Sequence, residues 1–280
     1  MNDLYHLTIA VSGRCTLARD ERERRAALRL LARVAGPWLA LFCLVDEHLH
    51  ALLRALRARE IARDIRTALL RSRPGIALDA PHLKPVNGLD HLENTVGYLL
   101  RQPLHHGLPG HPAAWSGSSF ADLVGARRLP GYSARILTEE LPRLRVRDVC
   151  GLVGLGPEPF VPVDDAALRA LGPRALVELA SGALCVDPEL AGRTAPVSQA
   201  RALAAGMGRR VGLAMVELAT ALGISRQAVH HLARRPVDPR HELAVRVRAA
   251  YLARCQAAPY PVWLLASGKP VKTSKQRARA

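Results

Sequence analysis

The chain is poor in aromatic residues, which make up 4% of its 280 positions. Any core must therefore be built from Leu, Ala and Val, a composition that favours helices. Acidic residues are also scarce, 24 against 40 Lys and Arg, leaving a formal charge of +16. Such an excess suits a polyanionic partner such as nucleic acid. The cations are nearly all arginine, with lysine only at Lys84, Lys269, Lys272 and Lys275. An Ala/Arg/Leu-rich composition is also what a GC-rich genome encodes, so charge alone leaves both readings open. There is no apolar run of about 18 residues, which argues against a membrane span. Met1–His6 lacks the basic start and apolar stretch of a signal peptide. The cysteines (Cys15, Cys43, Cys150, Cys185, Cys255) are odd in number and form no C-x-x-C pair. That excludes a zinc ribbon or disulfide framework and suggests reduced thiols in a cytoplasmic protein. No repeat of fixed period occurs.

What is present reads as an α+β domain followed by helices. Leu4–Val11 is a short, partly β-branched run ending at Ser12-Gly13, a strand and turn. Asp20–Val34 carries apolar residues at helical spacing behind an acidic start. Trp38–Val45 suits a central strand, Asp46-Glu47 a turn, and His48–Leu53 a returning strand. A basic amphipathic helix runs from there to about Arg71. Pro74, Gly75, Pro81 and Pro85 mark a loop with room for one short strand, and Leu89–Arg101 a helix stopped by Pro103. That order suggests an antiparallel sheet with flanking helices. From about Leu141 onward the pattern is almost wholly helical, cut at Gly154–Pro159 and Gly172-Pro173. The expected organisation is an α+β domain over 1–130, a helical connecting region over 131–205, a further helical region over 206–258, and a basic disordered tail over 259–280.

Three constellations carry chemistry. In His48-Leu49-His50, residues two apart on a strand face the same side, so both imidazoles can reach one divalent ion. Tyr98 and Gln102 lie four apart on the helix before Pro103 and share a face, where a phenol can attack a phosphodiester. In Met215–Arg235, Leu218, Ala219, Leu222, Gly223, Ile224, Val229 and Leu232 occupy the positions a helix-turn-helix needs. Ser225 is a suitable N-cap for its second helix, which would present Arg226, Gln227, His230 and Arg234 to DNA. Taken singly, each also has an ordinary structural reading.

The combination resembles a known family. Leu41–Leu53 (LFCLVDEHLHALL), Val96–Leu108 (VGYLLRQPLHHGL) and Trp115–Phe120 (WSGSSF) resemble, in order and spacing, segments of the Y1 (IS200-like) transposases of the HUH superfamily. The likeness is greatest to the REP-associated tyrosine transposases, and covers about residues 1–128. The resemblance implies a ferredoxin-like antiparallel sheet bearing the histidine pair, with the tyrosine helix alongside. It implies His48 and His50 as ligands of Mg²⁺ or Mn²⁺, Gln102 as a further ligand, and Tyr98 as the nucleophile. It also implies nicking and transfer of single-stranded or hairpin DNA through a 5′-phosphotyrosine, by a monomer or homodimer. The sequence departs from the family at Gln102-Pro103-Leu104-His105-His106-Gly107, where relatives carry an Asn-Pro-Val-Arg-x-Gly run. His105, His106 and His111 are candidates by proximity in sequence for the base that activates Tyr98, but read rather as solvated loop residues or phosphate contacts. An alternative function is a catalytically inactive, domesticated DNA-binding regulator.

Overall fold

The computed structural model describes residues 4–13, 15–54, 57–142, 144–261 and 264. The basic tail expected at the end of the chain lies outside these residues from 265 onward. The fold is α+β, and the chain forms two compact units. The first comprises the described residues of Met1–Leu123, Pro130–Pro159 and Arg254–Ala280, and the second Val124–Leu129 with Phe160–Ala253.

In the first unit, strand β1 (Leu4–Ala10) leads into helix α1 (Glu21–Ala35). Asp20 caps α1 by accepting from the Glu23 amide at 2.8 Å, and Glu21 and Glu23 place negative charge at its N-terminal end. Strands β2 (Leu39–Leu44) and β3 (His48–Arg54) form a hairpin, followed by helix α2 (Ala58–Ser72) and strand β4 (His82–Val86). All pairings are antiparallel and the spatial order is β2-β3-β1-β4. This βαββαβ connectivity is ferredoxin-like. β4 contains Pro85, and an edge strand tolerates it because one side of the strand needs no donor.

Helices α1 and α2 pack on each other, α1 on β2 and α2 on β1, and together they cover one face of the sheet. Leu7, Ile9, Leu49, Ala51 and Leu53 alternate onto that face, each at most 1% exposed. Helix α3 (Leu89–Leu100) serves the opposite face. It does not run on to Pro103. It stops at Leu100, and a separate short helix α4 (Gln102–His105) begins with Pro103 in its first turn, where proline is tolerated.

β2 would leave a bare edge, but the stretch from Trp115 to Ser119 covers it. The Leu44 amide donates to Gly117 O at 2.9 Å, and the Ser119 amide to Phe42 O at 3.0 Å. Trp115 Nε1 donates to Leu44 O at 2.7 Å, and the Arg24 guanidinium lies 3.9 Å over its ring. A side chain at Gly117 would place Cβ 2.2 Å from Leu44 O, so the approach requires glycine. The serine-rich segment thus seals a sheet edge against further pairing. Helices α5 (Phe120–Leu123), α6 (Arg135–Glu140) and α7 (Val146–Leu152) complete this unit's main elements.

The second unit is built on α8 (Asp165–Ala183), α9 (Ala195–Arg210), α10 (Met215–Leu222), α11 (Arg226–Leu232) and most of α12 (Pro239–Ala257). α8 is broken at Gly172 (φ 81°) before Pro173, at the expected interruption. Leu176, Leu203, Leu218, Val229 and Val245 belong to one continuous apolar core. The expected connecting region is thus divided, α6 and α7 going to the first unit, α8 and α9 to the second. Among the described residues no helix is long and apolar enough to cross a membrane.

Candidate active site

Strand alternation builds the site from the bottom. β3 places His48 and His50 on the face opposite the α1–α2 layer, paired with Ala10 and Thr8 of β1. The two rings stack at 24° with centroids 5.8 Å apart. His50 is buried (5% exposed), but by polar company as well as apolar. Its Nδ1 lies 3.2 Å from His6 Nε2 and 3.3 Å from Thr8 Oγ1. Burial, helped by the neighbouring imidazoles of His6, His48, His106 and His105, pulls its pKa down to about 3. Burial does the same to His6, with Lys84, His82 and His91 adding repulsion, and brings it to about 4. Both imidazoles are therefore neutral at neutral pH and keep a lone pair for a metal or a proton.

Tyr98 projects from α3 over this histidine floor. Its ring stands edge-on to His6 at 5.8 Å and to His50 at 5.7 Å, and His105 lies 5.8 Å away. The residue is 41% exposed. Two other tyrosines are committed elsewhere: Tyr132 donates to Ala40 O at 3.1 Å, and Tyr251 is 1% exposed in the second unit. Beside Tyr98 an open cleft of about 390 Å³ is lined by His6, Thr8, His82, Lys84, Asn94 and Thr95.

Gln102 opens the short helix α4. Because α3 ends before it, its buried side chain turns back along the chain and the amide nitrogen donates to Tyr98 O at 3.4 Å. Nor do the nearby histidines stand free in solvent. His105 is half-buried against Tyr98, and burial together with Arg101 lowers its pKa. His106 is half-buried with its ring 5.3 Å from that of His48. His111 is 6% exposed and caps a short turn, its Nδ1 accepting from the Ala113 amide at 3.2 Å. The ligating atoms of Glu47, His48 and His106 all lie within 4.8 Å of one another.

Sequence reasoning missed His6, Thr8 and Glu47, and placed His106 only in a loop near Tyr98. The first two carry a signal, since His6 and Thr8 alternate on a strand as His48 and His50 do. Glu47 reads from the sequence only as a turn residue, and His106 carries no signal, because its position depends on the restart of the chain at Pro103.

In the second unit, α10 ends at Gly223 in the left-handed conformation (φ 63°), and Ser225 caps α11 by accepting from the Ala228 amide at 3.2 Å. Arg226, Gln227 and His230 are exposed on α11. Arg234 is exposed too, but lies beyond the helix, which ends at Leu232.

No family model matches the chain. No curated protein matches it either. A solved structure of a REP-associated tyrosine transposase bound to a REP hairpin is similar over 42% of this chain and 77% of that one, at 14% identity and a TM-score of 0.36. That likeness is too slight to assign a fold or an activity.

Proposed function

We propose that the chain is a metal-dependent enzyme that nicks single-stranded or hairpin DNA and rejoins it through Tyr98. The observation that carries this reading is an exposed phenol standing over a cluster of imidazoles on one sheet face. The Tyr98 oxygen attacks phosphorus and the bond from phosphorus to the 3′ oxygen breaks. The products are a 5′-phosphotyrosine and a 3′-hydroxyl, which takes the phenolic proton by way of solvent or a neighbouring base. Attack by the 3′-hydroxyl of another strand on the same phosphorus releases Tyr98, so joining needs no nucleotide cofactor.

A divalent ion suits the donors present, because an imidazole held neutral by burial, as that of His50 is, need lose no proton to bind it. Bound at His48 and His50, such an ion would neutralise developing charge on the scissile phosphate. Thr8 and His6 fix the ring of His50, as partners of ligand histidines commonly do. Lys84 and His82 line the cleft beside Tyr98 as phosphate contacts, and Asn94 offers an amide to base edges.

The second unit supplies duplex or hairpin recognition in this reading. α10 and α11 act as a helix-turn-helix, with Arg226, Gln227, His230 and Arg234 facing DNA. Replacing Arg226 and Arg234 by Ala should weaken hairpin binding and reduce the log–log salt slope by roughly 0.9 for each phosphate no longer neutralised.

The direct test incubates the full chain with labelled single-stranded hairpin DNA and Mn²⁺. The parent should form a covalent adduct whose phosphotyrosine maps to the Tyr98 peptide. Tyr98→Phe should bind the same DNA and form none. An adduct with Tyr98→Phe would overturn the mechanism. Salt-dependent hairpin binding by a parent that never forms an adduct would favour the regulator.

A further inference from the structure

The Gln102 side chain turns back along its own chain, its amide nitrogen donating to Tyr98 O. A different pair of donors stands beside His48. The ligating atoms of Glu47, His48 and His106 lie within 4.8 Å of one another, and all three residues are half-buried. We propose that Glu47 and His106, in place of Gln102, complete the ligand set of a divalent cation bound at His48.

The backbone explains how three distant or ill-matched positions meet. Adjacent residues on a strand point to opposite faces, which would separate Glu47 from His48. Glu47 avoids this because it precedes β3, in the bend of the β2–β3 hairpin. That bend is held firmly: the Val11 amide donates to Glu47 O, and the Val45 amide to His48 O, each at 2.9 Å. His106 arrives from the other direction, at the end of α4. Its amide donates to Gln102 O at 3.0 Å, and the Leu108 amide closes the turn onto Pro103 O at 2.9 Å. Gly107 turns the chain away immediately afterwards with φ at +61°.

Charge chemistry favours this set over imidazoles and an amide alone. Two histidines and a glutamine bring no charge to a dication, and this chain carries +16 overall. The Glu47 carboxylate supplies a local negative charge, and oxygen ligands suit Mg²⁺ and Mn²⁺ while imidazole suits the transition ions. The Glu47 carboxylate with the imidazoles of His48 and His106 would leave the remaining coordination positions of a six-coordinate ion open to His50 and to phosphate oxygens.

This inference rests on the metal part of the proposed function and is independent of the Tyr98 chemistry. The test uses the full chain with Mn²⁺ alone, following free Mn²⁺ by electron paramagnetic resonance and the Mn²⁺-induced rise in Tm. The parent should bind one ion per chain. Glu47→Gln and His106→Ala should each weaken binding roughly tenfold or more and shrink the Tm shift, while Gln102→Met leaves both unchanged. His106→Gln, which keeps bulk and hydrogen bonding, should show the same loss if His106→Ala folds poorly. Parental affinity in Glu47→Gln and in both His106 variants would overturn the proposal, as would a parent that binds no Mn²⁺. Loss of binding confined to Gln102→Met would overturn it and return the third ligand to Gln102. Adduct formation at Tyr98 is scored separately. An adduct formed fully without divalent ion removes the metal site but spares the tyrosine, whereas Mn²⁺ binding without any adduct does the reverse.

Discussion

Along β1, Leu7 and Ile9 are wholly buried on one side of the sheet, while His6 and Thr8 line the open cleft on the other. β3 repeats the division, with Leu49, Ala51 and Leu53 beneath the helices and His48 and His50 on the face with Tyr98. A strand reverses side at every residue, so one short segment serves as wall of a core and floor of a site. The two faces should therefore answer differently to substitution. The helix-covered face carries stability through area removed from water. The histidine face gives up some of that area to polar groups that satisfy one another only partly through the protein.

The sharpest way to break this contrast is to truncate one of two neighbouring β1 residues on each face to Ala. Ile9→Ala should cost about 2–5 kcal/mol in denaturant unfolding, because transfer and cavity terms add in a packed layer. Thr8→Ala should cost only about 0.5–1.5 kcal/mol, the usual net worth of a hydrogen bond. Equal losses from the two would show that the histidine face is itself a core. Next in size, Gly117→Ala should lower stability by about 1–3 kcal/mol, since the added carbon meets the backbone of Leu44 and the edge cap must move. An unchanged Tm would mean that Trp115–Ser119 does not seal β2.

A smaller effect concerns Glu21, which joins α1 to that same cap. Burial alone would raise its pKa, but Arg25, Ser116 and Arg24 outweigh burial and hold it below the ordinary value. A carboxylate with a depressed folded pKa adds stability that is full above its unfolded pKa and is lost as pH falls through the folded one. The parent's Tm should therefore fall on acidification below about pH 4.5, and Glu21→Gln should flatten part of that fall. Identical Tm–pH curves would show that Glu21 contributes nothing to acid sensitivity. The smallest change belongs to the helical unit, where Ser225→Ala should cost about 1 kcal/mol by leaving an amide of α11 without its cap. Hairpin affinity should fall with it if α11 is the reading helix; an unaffected affinity would place recognition elsewhere.

Much of this architecture is legible in the residues. Alternation in β1 and β3, the proline and glycine breaks, the acidic start of α1 and the Gly223–Ser225 turn are local features, decided within a few residues by backbone sterics and hydrogen-bonding capacity. The pairing of His48 with His50 belongs to the same class, because it follows from the strand period alone. So does the exposed start of α11, where Arg226 and Gln227 follow a capped turn.

Other features depend on which elements meet. β4 is legible only as room for a strand, since Pro85 reads as a breaker unless the strand lies at an edge. The serine-rich segment matches a pattern, but its work as a cover for β2 follows from the close approach of Gly117 to Leu44. His105, His106 and His111 read as solvent-facing, and packing buries them wholly or in part. Gln102 shares a helical face with Tyr98 in the sequence pattern, yet the chain restarts at Pro103 and turns its amide back to the Tyr98 carbonyl. His6 comes to His50 across the β1–β3 pairing, and Glu47 to His106 from segments far apart in the chain. Sequence determined which side of each strand every residue faces, because that periodicity is intrinsic to the backbone. Only the tertiary structure decided which polar groups share a space, because contacts between remote segments depend on how the helices close over the sheet.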